Sequence, residues 1–227
     1  MAIKDPTTSI NTNVATPTAT DTTFFFQIYP ESTGAGNKYV FSSISLTGQQ
    51  NYVSVADNTL IIHNDMAFLT GISDGIWTVP ISANTHYLVA IKFQWGNTTV
   101  NPVVFLNGVS QTVTETSTPN NTISWLNAIL NIGADNGDLG DFDGKISEFA
   151  WWNSQLTDPQ CTQLTLAKVK GLPLQISPST LQNYWPMDEV AEGVTITNST
   201  LRDYKGTNNL TADSGIGAAE TFISYPQ

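Results

Sequence analysis

From Phe24 onward, short apolar runs recur along the chain, each bounded by a cluster of Gly, Asn, Asp or Pro. Runs of four to eight residues are short for helices, and turn residues at this spacing suit an antiparallel sandwich. They predict strands over 24–29, 39–46, 52–55, 60–63, 67–72 and 76–81. The clearest alternation covers 87–93, where Tyr87, Val89, Ile91 and Phe93 share one face and Leu88, Ala90, Lys92 and Gln94 the other. The segment 103–113 reads as a hairpin, because its central Asn107-Gly108 accepts the positive φ angles of a two-residue turn that matches strand twist. Further strands are expected at 129–132 and 144–152.

One helix is visible. Thr157-Asp158-Pro159-Gln160 supplies an N-cap, an acid and a proline for the first turn, and a glutamine at the capping-box position. Lys168 and Lys170 suit the negative end of such a helix, and Gly171 is the expected terminator. Beyond it, 184–189 and 201–210 read as returning strands and turns. At the other end, Thr7 to Thr23 holds eight Thr with Ser, Asn, Ala and Pro, and only Ile10 and Val14 as sizeable apolar groups. Such a segment cannot bury itself and reads as an extended arm, of the kind that gains order against a neighbouring subunit. The expected division is an arm over 1–23 and a single sandwich domain over 24–227, the whole being all-β, an antiparallel two-sheet β-sandwich with one short surface helix.

Composition sharpens this. Only 12% of the 227 residues are charged, so solubility must come from Thr, Ser, Asn and Gln, which fits sheets and loops better than long surface helices. Eight Lys plus Arg stand against 19 Asp plus Glu, and the net charge of −11 opposes nucleic acid and anionic lipid alike. No run approaches the roughly 18 apolar residues of a membrane span. A single cysteine, Cys161, excludes an internal disulfide framework, and the opening residues lack the apolar stretch of a signal peptide, so folding in a reducing cytoplasm is expected.

The order of signals between His86 and Leu164 carries a family likeness. Thr85-His86-Tyr87 opens a strand and Phe105-Leu106-Asn107-Gly108 closes a hairpin arm; Asn131-Ile132-Gly133 ends a short strand. Then come Phe142-Asp143-Gly144-Lys145-Ile146-Ser147-Glu148-Phe149 and Trp152-Asn153 through Leu156-Thr157. This succession resembles the concanavalin A-like lectin/glucanase superfamily, especially its laminin-G-like and pentraxin-like branch, which implies a lectin-like jelly roll. Two departures are visible. Thr85 stands where the branch has Trp, and a Tyr-Trp-x-Met-Asp-Glu segment usual at the start of the domain lies here at 184–189. Either the fold is permuted or a terminal strand completes the sheet from the other end.

Candidate site residues fall in two groups. Asp135, Asn136, Asp138, Asp141 and Asp143 gather oxygen donors in a Gly-rich loop, as Ca²⁺ prefers, and the resemblance adds rim calcium sites. The spacing is not an EF-hand, since Trp152 stands where the bidentate Glu would be, and a turn with solvated carboxylates is the plain alternative. Trp77, Trp95 and Trp125, with Asn97, are candidates for carbohydrate binding, because aromatic faces pack against the apolar faces of sugar rings. Core packing is the competing role for these three, and the expected one for Trp151, Trp152 and Trp185. His63 and His86 read as structural, and Cys161 as a small apolar residue on the inner face of the helix.

No catalytic residues are assigned. The superfamily's β-glucan hydrolases resemble one another through Glu-x-Asp-x-x-Glu on one strand, and that motif is absent here. Three functional classes therefore stand: a phage virion protein (capsid decoration, head fibre or tail component) exposed on the virion surface, binding other virion subunits and host glycans and forming homo-oligomers; an extracellular bacterial carbohydrate-binding module or lectin; and a glycan hydrolase with an unfamiliar acid pair.

Overall fold

The computed structural model describes residues 2–4, 10–15, 21–45, 50–64, 74–94, 100–119, 128–134, 140–188, 200–212 and 219–220. They form an antiparallel two-sheet jelly-roll sandwich with one helix. In chain order the strands are β1 (Ala2–Lys4), β2 (Ile10–Ala15), β3 (Asp21–Pro30), β4 (Lys38–Ser45), β5 (Gln50–Ala56), β6 (Thr59–Asn64), β7 (Gly75–Pro80), β8 (Tyr87–Gln94) and β9 (Val103–Leu106). They continue with β10 (Val109–Gln111), β11 (Thr114–Ser117), β12 (Ala128–Ile132), β13 (Gly144–Trp152), β14 (Leu181–Trp185), β15 (Thr200–Leu201), β16 (Leu210–Ala212) and β17 (Ala219–Glu220). The helix α1 spans Asp158–Leu166. The first sheet runs β10-β9-β8-β3-β13-β1-β17, with β14 also on β13, and the second β11-β7-β6-β5-β4-β12-β2-β16-β15.

The predicted strands appear within a few residues of their expected bounds, except that the one over 67–72 lies outside the described residues. In the hairpin β9–β10, Asn107 and Gly108 take φ of 48° and 86°, as the two-residue turn requires. Of the Thr-rich segment 1–23, β1 pairs with β13 and β17, β2 pairs with β12 and β16, and Asp21–Thr23 open β3. The Tyr-Trp pair of the late segment lies in β14, hydrogen-bonded to the C-terminal half of β13 on the edge whose other half holds β1.

Period-two alternation makes the first sheet apolar on both faces. Phe24 and Phe26 point between the sheets with Val89, Ile91, Ile146 and Phe149, while Phe25, Leu88, Ala90, Phe105 and Trp152 face the other way. That outer face is covered by α1 and the segment after it, through Leu156, Cys161, Leu164, Leu172 and Ile176. Gln160 caps the helix by accepting the Thr157 N–H at 2.9 Å. Thr23 pins its entry, accepting from the Leu156 N–H and donating to the Ser154 carbonyl, both at 2.9 Å. Burial pushes the Cys161 thiol up to about 12, which suits its expected inert, apolar role.

The helix exit departs from expectation. Helix α1 ends at Leu166, and Lys168 itself adopts the left-handed conformation (φ 42°). Gly171 (φ 75°) instead opens a 3₁₀ turn over Leu172–Leu174. Neither lysine lies in the last helical turn, so the helix dipole does not recruit them.

Trp77 is the second correction. On β7 the inward positions are Trp77 and Val79, and Trp77 is 1% exposed, with its indole N–H donating to Asn101 Oδ1 at 2.8 Å. It fills the core and offers no face to a sugar. Trp151, Trp152 and Trp185 are buried as expected.

In β13, two residues, Glu148 and Phe149, stand opposite the single Phe26 of β3, a β-bulge that places Glu148 at φ 55°. The Glu148 carboxylate is buried and accepts the Tyr184 hydroxyl at 2.5 Å. Burial raises its pKa, and the Tyr184 hydroxyl, the Gly171 N–H and Lys170 oppose the rise without cancelling it.

Two outcomes are expected. Trp77→Ala should cost about 3–5 kcal/mol in urea unfolding, as emptying a large buried aromatic site does. Because the folded state holds the Glu148 proton more tightly than the unfolded chain, stability should fall as pH rises from the ordinary carboxyl value through the raised one. Glu148→Gln should remove that part of the fall in unfolding titrations over the same range, and a variant with the wild-type slope would contradict it.

Candidate functional site

Helix α1 packs on β8, β9 and β10 of the first sheet, and no other helix of four or more residues occurs among the described residues. Among the described residues, the outer face of the second sheet is therefore free of helical cover. Strands β6 and β7 of that sheet alternate cleanly. On β6, Leu60, Ile62 and Asn64 are buried inward while Thr59, Ile61 and His63 face out, and on β7 Ile76 and Thr78 face out. On β5, Val53 and Val55 join the core, leaving Tyr52 and Ser54 outward.

Register assembles these outward groups. Ser42 of β4 stands opposite Tyr52, Tyr52 opposite His63, and His63 opposite Ile76. Tyr39 enters from a bulge in β4, its ring centroid 5.0 Å from that of Tyr52 with the planes 80° apart. The Tyr52 and His63 centroids are 4.5 Å apart, tilted by 56°. Three rings thus form a file across three strands, each partly exposed.

Polar groups fix the file. Asn37 Nδ2 donates to the Tyr52 hydroxyl oxygen at 3.2 Å, and the Ser54 hydroxyl donates to Asn37 Oδ1 at 3.3 Å. His63 Nε2 lies 3.2 Å from Asp74 Oδ2. Partly exposed rings bordered by an amide and a carboxylate, with the buried Ser54 fixing the amide from beneath, are the kind of surface that packs on one face of a pyranose and hydrogen-bonds its rim.

The described end of the acidic loop, from Gly140 onward, comes up beside this file. The Tyr39 N–H donates to the Gly140 carbonyl at 2.8 Å, and Gly140 (φ 71°) lies so close that a Cβ there would sit 2.7 Å from the Tyr39 ring and 2.4 Å from the Asn37 carbonyl. Asp141 and Asp143 follow, half-buried, with the Asp143 carbonyl accepting the Glu31 N–H at 2.9 Å. Asp135, Asn136 and Asp138 lie outside the described residues, as do Trp95, Asn97 and Trp125. Among the described residues no three His, Cys, Asp or Glu groups come together in a way that could hold a metal.

Sequence reasoning missed Tyr39, Tyr52, Asn37 and Asp74, and it read His63 only as structural. The alternation of Thr59, Ile61 and His63 places His63 outward, but nothing in one strand says which residue of the next stands beside it. Two other buried carboxylates serve the scaffold: Glu148, held by Tyr184, and Asp203, which accepts Asn183 Nδ2 at 2.6 Å and the N–H groups of Tyr184, Lys205 and Asn208 at 3.1, 3.0 and 3.3 Å. His86 is half-buried near Lys168, and desolvation with that charge lowers it to about 4, so it is neutral at pH 7.

The structure is similar to several solved proteins. A putative carbohydrate binding protein from Bacteroides ovatus aligns over 93% of this chain and 58% of its own, with 16% identity and a TM-score of 0.55. The CBM40 of the Ruminococcus gnavus IT-sialidase, bound to α2,3-sialyllactose, aligns over 73% of this chain and 95% of its own, at 12% identity and 0.54. The heptameric SAP-like pentraxin of Limulus polyphemus aligns over 71% and 80%, at 18% identity and 0.50. At these identities the likeness is one of fold. No curated protein sequence matches the chain. The family model of the concanavalin A-like lectin/glucanases superfamily matches residues 4–161, from the end of β1 into α1. By that match over most of its length, the chain belongs to the concanavalin A-like lectin/glucanases superfamily.

Proposed function

We propose that this chain is a non-enzymatic, lectin-like binding protein that holds glycan on the open face of its second sheet. The observation that carries the reading is the file of Tyr39, Tyr52 and His63, partly exposed and bordered by Asn37, which Ser54 holds, and by Asp74. The fold likeness to a putative carbohydrate binding protein and to a sialyllactose-bound CBM40 supports it by analogy. The two buried carboxylates among the described residues, Glu148 and Asp203, are held by internal hydrogen bonds, which favours binding over hydrolysis.

Within that reading the chain works on the surface of a phage virion, as a capsid decoration, head fibre or tail component. Its partners are other virion subunits, further copies of itself and host glycans. The Thr-rich N-terminal segment and a polar surface poor in charge support this setting. An extracellular bacterial carbohydrate-binding module would use the same face, and the Bacteroides and Ruminococcus likenesses favour that second reading. Calcium belongs to the proposal through Asp135, Asn136, Asp138, Asp141 and Asp143. Their all-oxygen donor set fits Ca²⁺, and the described part of that loop abuts Tyr39, so a bound ion would stiffen the border of the file.

The test is saturable binding of the purified protein to host surface polysaccharide, with calcium and with chelator. Tyr52→Ala is expected to weaken binding at least about tenfold, or roughly 1.4 kcal/mol, while leaving the unfolding midpoint nearly unchanged. Asp141→Ala and chelator should each weaken it in the same direction. Full binding by the Tyr52→Ala protein would place the site elsewhere, and no binding by a folded sample would leave the sandwich a role in subunit contacts alone.

A further inference from the structure

We infer that the file on the second sheet is a dead-end site that holds the terminal sugars of a single glycan chain, and not an internal stretch of a chain or the flat surface of a crystalline polysaccharide. This rests on the glycan-binding reading of that face and specifies which part of a glycan it takes. The first observation is the set of angles between the rings. Tyr39 and Tyr52 stand at 80° with centroids 5.0 Å apart, and Tyr52 and His63 at 56° with centroids 4.5 Å apart. A crystalline array offers a plane, and only rings that share a plane can stack on it together. Rings at these angles make a corner, where a sugar lies on the face of one ring and meets another with its edge. The file is also short: from β4 to β6 is two strand spacings, about 10 Å, or room for roughly two pyranose rings.

The second observation is that the outward row is closed on one side and open on the other. Beyond Tyr52, toward β12, the next outward positions are Ser42 and then Asn131, which faces out between the inward Leu130 and Ile132. Both are fully buried. The Ser42 hydroxyl donates to the carbonyl of the equally buried Ala134 at 3.1 Å, so the chain leaving β12 turns over this part of the face. Beside it, Gly140 lies so close to the Tyr39 ring and the Asn37 carbonyl that a side chain there has no room. In the other direction His63 is followed by Ile76 of β7 and Ser117 of β11, both partly exposed, and β11 is the outermost strand of the sheet. A glycan therefore enters from the β11 edge, passes Ile76 and His63, and stops at the corner of Tyr39 and Tyr52, where its last ring meets the Asn37 amide. A chain that continued past the corner would run into the backbone that covers Ser42 and Asn131.

The experiment titrates the full chain by calorimetry with gluco-, xylo-, manno- and galacto-oligosaccharides of two to six units. The linear polymer of the class that binds best is then titrated before and after partial hydrolysis, at equal mass of sugar. The expected result is an affinity that changes by less than about twofold from the trisaccharide upward, and a number of binding equivalents that rises in proportion to the chain ends released. Microcrystalline cellulose and chitin should not retain the protein. Affinity that keeps climbing to six units, binding equivalents fixed by mass, or retention on either crystalline polymer, each lost in Tyr52→Ala, would overturn the dead-end site while keeping the glycan-binding face. Failure of every saccharide to bind, or binding unaffected by Tyr39→Ala and Tyr52→Ala in proteins with wild-type thermal midpoints, would overturn the underlying reading and the chain-end site with it.

Discussion

Strand β13 holds the sandwich together, and the bulge at Glu148 sets its geometry. Before the bulge β13 pairs with β1 on one edge, after it with β14, and along the other edge with β3 throughout. The extra residue lets Ile146 and Phe149 both face the interior, although an odd spacing would otherwise send them to opposite sides. Phe149 then meets Phe41 of the second sheet at 5.3 Å, Phe26 at 6.1 Å and Trp185 of β14 at 6.1 Å, so one ring joins both sheets and the late strand. Stacked, tilted and edge-on ring pairs of this kind add specificity to the burial of apolar area.

That arrangement decides which surface is open. The first sheet is apolar on both faces and must be covered twice, once by the second sheet and once by α1 with its following turn. The capping box, the Thr23 hydrogen bonds and the Gly108 N–H donating to Thr165 Oγ1 at 3.1 Å all hold the helix over β8–β10. The second sheet is apolar on one face only, and its outward residues are free to be selected for recognition. The location of the candidate site thus follows from where the helix had to go.

Much of this was legible in the chain. Asn107-Gly108 announced its hairpin because that pair readily takes two successive positive φ angles, and Thr157 through Gln160 announced the helix start because the cap is a local contact. The helix end misled, since Lys168 pays the left-handed strain that Gly171 was positioned to avoid. Trp77 misled for another reason: its alternation within β7 is the same whether the strand faces core or solvent, and only the partner sheet decides. The file of Tyr39, Tyr52 and His63 was hidden because it exists in the register between strands, which turns and cross-strand packing set together. The acidic loop was found by composition, and its nearness to Tyr39 required the folded backbone.

The pairing of β1 with β17 has a mechanical side. Ala2 stands opposite Glu220 and Ile3 opposite Ala219, so the outermost residues of the two terminal strands leave their ladder at the same end. Tension applied between the two ends would load those hydrogen bonds one after another, peeling the pair apart like a zipper instead of shearing it as a block. A load carried through one end alone would not open that seam in the same way. As part of an assembly under strain, this molecule is therefore better suited to hang from a single attachment than to serve as a link in a tensioned chain.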